Sequence, residues 1–82
     1  MLKAGIVCRV IEDSYDFFKP GDIVVTMEDS VVPYCCLEKH YNPRWPLRYY
    51  DNNLVAPLKP TELEVLYDWP EEQHQYSHKM AL

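Results

Sequence analysis

Cys35 and Cys36 stand side by side with His40 close behind them, residue types that could supply a thiolate nucleophile or a soft metal site. Zinc sites gather their sulfur ligands through C-x-x-C spacing or well-separated pairs, whereas neighbouring side chains on a strand leave by opposite faces. Both cysteines are therefore expected to pack as small apolar groups. A Cys–His catalytic pair also needs an orienting third group and an oxyanion hole, and neither is evident. His74 and His78 have the i, i+4 spacing of helical zinc ligands, but the HExxH pattern and a third ligand are missing, so solvated histidines are expected. No pairing of titratable groups meets the spacing of a known reaction class. The expectation is a non-enzyme with no catalytic residue, metal or cofactor.

Binding chemistry is denser. The segment His40-Tyr41-Asn42-Pro43-Arg44-Trp45-Pro46-Leu47-Arg48-Tyr49-Tyr50 concentrates Trp, Tyr and Arg, the types enriched at interface hot spots, and its prolines lower the ordering cost of binding. His40, Tyr41, Arg44, Trp45, Arg48 and Tyr49 are the candidate partner-binding residues, with Tyr15 and Phe17 as a second aromatic edge. In the alternative, Trp45 folds back to plug one end of the fold and the tyrosines brace strands. Of the consecutive pair Phe17-Phe18, at least one must face inward, and Phe18 is the expected core member.

Charge sorts the partners. From Lys39 to Tyr50 there are three basic residues and no acidic one, which leaves −8 on the rest of a chain whose net charge is −5. That balance argues against nonspecific binding to a nucleic-acid backbone, which depends on cations displacing counterions. A protein partner is the first expectation. The alternatives are a nucleic-acid-binding barrel, with Tyr41, Trp45 and Tyr49 stacking on bases while Arg44 and Arg48 meet phosphates, and an acidic DNA mimic. The mimic would use the clusters Glu12-Asp13-Asp16, Glu28-Asp29 and Glu71-Glu72, for which solvated loop charge is the ordinary explanation.

Short strands must position these side chains. Residues 4–11 alternate Ile6, Cys8 and Val10 with Val7, Arg9 and Ile11, and their β-branched content suits a pleated surface. A polar loop with Tyr15, Phe17 and Phe18 then closes on Lys19-Pro20-Gly21-Asp22, where Pro20 presets the second position of a type II turn and Gly21 accepts positive φ at the third. Further strands are expected from Ile23 to Met27, Val31 to Leu37, Leu47 to Tyr50 and Leu54 to Leu58. Pro33 should place the start of the third at an edge or bulge. Pro60-Thr61-Glu62-Leu63 reads as one helical turn before a last strand, Glu64 to Leu66. Asp68, Pro70 and Glu71 have the spacing of a capping box for a short helix from Trp69 to about Met80, with fraying as the alternative because apolar residues there are few.

With 82 residues, two Gly and seven Pro, the chain is about one small domain with stiffened loops and little core to spend on a cleft. Residues 1–66 are expected to form the domain and 67–82 an acidic C-terminal tail. No apolar run approaches the roughly 20 residues that cross a bilayer, and Met1-Leu2-Lys3-Ala4-Gly5 lacks a signal peptide's apolar region. Three cysteines, two of them adjacent, do not suit a disulfide scaffold. A cytoplasmic protein with no membrane partner is expected.

The order of a first apolar strand, a polar loop ending in Phe18-Lys19-Pro20-Gly21-Asp22-Ile23-Val24, a hairpin, and Leu58-Lys59-Pro60-Thr61-Glu62-Leu63-Glu64-Val65 resembles small SH3-like barrels, including those of bacteria and their phages. The resemblance spans about residues 4 to 66. It implies an all-β, five-stranded SH3-like barrel, and a small accessory protein that a phage could encode and that would then work in the host cytoplasm. The acidic loop and paired tryptophans of peptide-binding SH3 domains are not clearly present, and proline-peptide recognition is not implied.

Overall fold

Alternation at Ile6-Val7-Cys8-Arg9-Val10 puts apolar side chains on both sides of one extended segment, and this segment sits near the middle of the sheet. In the computed structural model, which describes residues 1–70, the strands are β1 (Ile6–Val10), β2 (Ile23–Thr26), β3 (Tyr34–Leu37), β4 (Val55–Pro57) and β5 (Leu63–Asp68). They form one antiparallel sheet in the order β4-β3-β2-β1-β5. The all-β class expected from the residues is what the structure shows. Closure into a barrel is not: β4 and β5 end the sheet and do not pair with each other. Side chains from both ends still meet, because Ala56 of β4 and Leu63 of β5 share a buried cluster with Cys8, Val10, Phe18, Val24, Cys35 and Leu58.

Register explains why the sheet is covered on both faces. Val7 lies opposite Val25, Val25 opposite Cys36, and Cys36 opposite Val55, a row on one face. Cys8, Val24 and Leu37 make the corresponding row on the other. The first of these faces is closed by the connection between β3 and β4, whose Tyr50 packs with Cys36 and Val55, flanked by Tyr41, Leu47 and Leu54. Cys35 and Cys36 thus enter different clusters, as adjacent strand residues should.

The turn before β2 forms as its residues demand. Asp22 donates its N–H to the Lys19 carbonyl at 3.0 Å, and Gly21 has φ +94°, a conformation a β-carbon would strain. Pro60–Glu62 is the expected helical turn, of 3-10 type.

Several boundaries differ from expectation. Leu47 to Tyr50 is not a strand: Leu47–Tyr49 is a 3-10 turn, with the N–H of Tyr49 bonded to the Pro46 carbonyl and that of Tyr50 to the Leu47 carbonyl. Its β-favouring tyrosines are overruled because this geometry drives the Tyr50 ring into the core. β3 begins only at Tyr34 and lies between β2 and β4, away from the edge. Pro33 precedes it, fully buried, and its carbonyl accepts the Leu58 N–H at 3.0 Å. β5 is longer than expected, reaching Asp68 opposite Ile6, with a bulge opposite Val7 and Cys8. The helix expected toward Met80 falls, beyond Pro70, outside the described residues. Among the described residues no helix is long and apolar enough to cross a membrane.

Candidate functional site

The connection from β3 to β4 carries most of the expected binding residues, and Asn42 organises it. Its N–H donates to the Tyr50 hydroxyl at 2.6 Å, and that hydroxyl donates to the Asn42 carbonyl at 3.1 Å. The same carbonyl accepts the Trp45 N–H at 3.0 Å, and Asn42 Oδ1 accepts the Arg44 N–H at 3.0 Å. Pro43 and Pro46 remove conformations from the segment between. The Tyr50 phenol is held above its ordinary pKa chiefly by burial.

On this frame Trp45 leans edge-on against two rings, Tyr50 at 5.9 Å and Tyr49 at 6.5 Å between centroids. It remains 51% exposed, and Tyr49 60% exposed. The indole does not plug the fold. The Arg48 guanidinium lies 5.4 Å from the Tyr49 ring centre, within cation–π range, and Arg44 is exposed. Trp45, Arg48 and Tyr49 therefore form one surface, with Arg44 next to Trp45 in the chain.

The other candidates go elsewhere. Tyr41 is half-buried, packed edge-on against Trp69 at 4.8 Å, where the chain leaves β5. His40 is exposed and borders a groove of about 240 Å³ with Phe17, Phe18, Asp22, Leu37, Asn53 and Leu54. A second groove of about 290 Å³, lined by Lys39 and Glu38 among others, shares Asp22 and Leu37 with it. Phe17 lies on the first groove with its ring 4.8 Å from the buried Phe18, and Tyr15, 78% exposed, belongs to neither set. The eight residues are thus divided between an aromatic–cationic surface, a groove and isolated positions.

Two carboxylates matter more than their sequence context suggests. Asp13 is only 8% exposed and serves as an acceptor for the loop that follows it: Oδ1 takes the Tyr15 N–H at 3.0 Å, and Oδ2 takes those of Phe17 at 3.0 Å and Phe18 at 2.8 Å. Asp16, at φ +58°, makes the reversal this wrapping needs. Glu62 joins two distant segments, accepting the Ser14 N–H at 2.9 Å and hydroxyl at 2.8 Å on Oε2 and the Lys59 N–H at 2.9 Å on Oε1. Those donors, Lys59 first and Ser14 second, hold its carboxyl below the usual range. The local signals were an Asp two residues before an exposed loop amide and a Glu three residues after Lys59, the capping spacing.

These roles bear on the acidic clusters. Asp29 accepts the Ala4 N–H and pairs with Lys3, and Glu28 accepts the Tyr34 N–H, so with Asp13 three of the carboxylates in the first two clusters hold backbone. All three cysteines are buried and free. Burial pushes the Cys8 and Cys36 thiols up to about 11 and Cys35 higher still, the opposite of an activated nucleophile. Among the described residues no group of three or more His, Cys, Asp or Glu side chains could hold a metal ion.

No protein-family model matches the chain, and no curated protein or solved structure matches it significantly. The likeness to SH3-like barrels therefore rests on the sequence segments quoted above.

Proposed function

We propose that this chain is a small, non-catalytic interaction module that binds a larger protein through Trp45, Tyr49, Arg48 and Arg44. One observation carries the proposal: a Trp and a Tyr lie half or more exposed, in edge contact, on a loop whose backbone is already fixed by Asn42 and Tyr50. Exposed large aromatics cost a small domain solubility unless something covers them, and a preset loop loses little entropy on binding. The buried, unpaired thiols suit a reducing compartment, so we place the module in the cytoplasm, and the SH3-like resemblance adds a bacterial or phage setting.

Replacing Trp45 and Tyr49 by Ala tests this. Both side chains are largely solvated, so the fold should survive, as the dispersion of its amide spectrum will report. Capture of the partner should fall by about thirtyfold or more, the size of a hot-spot loss. Unchanged capture by a folded double variant rejects the site.

A further inference from the structure

The cations of this loop form no ion pair among the described residues. Among the described residues the ion pairs are Lys3 with Asp29 and Arg9 with Glu64, and neither Arg44, Arg48 nor Lys39 takes part in one. The nearest carboxylates along the chain are engaged: Glu38 Oε2 takes the Tyr67 hydroxyl at 3.3 Å, and Asp51 Oδ1 takes the Asn53 N–H at 2.9 Å. Guanidinium groups with no anion among the described residues, Arg48 against the Tyr49 ring and Arg44 next to Trp45 in the chain, offer forked donors to carboxylates and flat faces to an apolar side chain. Resting on the binding role proposed above, we infer that the partner meets this loop with an acidic segment, two or three carboxylates flanking an apolar or aromatic residue. Arg44 and Arg48 take the carboxylates, and Trp45 with Tyr49 receives the apolar residue.

A nucleic acid would bring anions too, but as a long row. With −8 outside the Lys39–Tyr50 stretch, a polyanion long enough to extend past the loop is repelled by the net charge of the rest of the chain, a repulsion that acts over a Debye length of about 8–10 Å, whereas a short acidic segment presents fewer charges to it.

The test is a titration of the isotopically labelled full chain, followed through backbone amides, with four probes. They are a short peptide with Phe between pairs of Glu, the same peptide with Gln for Glu, the same with Lys for Glu, and a short thymidine oligonucleotide. The Glu peptide should shift amides of residues 44–50 and bind about tenfold more tightly than the Gln peptide, while the Lys peptide leaves them unmoved. Arg44→Gln with Arg48→Gln should bring the Glu peptide down to the level of the Gln peptide, and Trp45→Ala should weaken both. Equal binding of the Glu and Gln peptides overturns the acidic partner but leaves the loop as a binding surface. Tighter binding of the oligonucleotide than of the Glu peptide overturns it in favour of a nucleic acid. If no probe moves residues 44–50 up to millimolar concentration, the inference fails and the binding role of the loop fails with it.

Discussion

The hydroxyl of Tyr50 sits between the two main-chain groups of Asn42, accepting the N–H at 2.6 Å and donating to the carbonyl at 3.1 Å. One buried side chain thus spans the loop that displays Trp45, and its ring packs on the same sheet face as Cys36 and Val55.

Tyr50→Phe keeps the ring and removes both bonds, leaving the Asn42 N–H without its acceptor. Stability should fall by about 1–2 kcal/mol, or roughly 4–16 °C in Tm for a domain this small. Amide exchange at Asn42 and Trp45 should quicken more than at β1. A variant as stable as the parent, with unchanged exchange, would show that solvent replaces the hydroxyl at no cost.

Asp13→Ala removes the acceptor of three loop amides at once. The expected loss is about 2–4 kcal/mol by urea denaturation, because the Phe18 N–H is buried and cannot turn to water. A loss under about 0.5 kcal/mol, the usual range for surface changes, would mean that the loop finds other acceptors.

Glu62 should leave a signature in acid. Its folded-state carboxyl titrates below its ordinary value of 4.5, so its contribution is complete above that value and disappears as pH falls through the lower, folded one. Glu62→Gln keeps one acceptor oxygen and puts an NH2, which cannot accept, in place of the other. It should therefore lose the Lys59 bond or the Ser14 bonds and weaken the rest, at a cost of about 1–3 kcal/mol at neutral pH. The gap between parent and variant should then narrow on acidification from pH 5 downward. Denaturant midpoints compared across that range decide it, and a constant gap would assign the loss to packing.

The thiols should be silent. With Cys8 and Cys36 near 11 and Cys35 higher, only about a thousandth of the Cys8 and Cys36 thiols is ionised at pH 8, and all three sit behind closed packing. A thiol reagent should label none of the three within minutes under native conditions and all three in denaturant. Rapid native labelling at any of them would contradict the packing of both clusters.

Residues 4–11, the Pro20-Gly21 turn, the helical turn at Pro60 and the opposed cysteines could be read from the chain because each depends on neighbours: alternation with period two, a fixed φ at Pro, a tolerated positive φ at Gly. The candidate surface was legible in part. Residue type pointed to Trp45, Arg48 and Tyr49, but equally to Tyr41, which Trp69 covers from the far end of β5. Leu47 to Tyr50 has strand composition, and only the fit of Tyr50 against Cys36 and Val55 made it a 3-10 turn.

By itself, then, the sequence determined that the protein would be all-β, where its sharpest turns fall and that its cysteines could not share one ion, since these follow from backbone stereochemistry within a few residues. Tertiary structure alone decided that the sheet stays open, that Glu62 reaches across to Ser14, and which aromatics meet solvent. Those outcomes depend on partners such as Ser14 and Glu62, 48 residues apart, whose meeting is set by how the whole sheet folds over and by no local pattern.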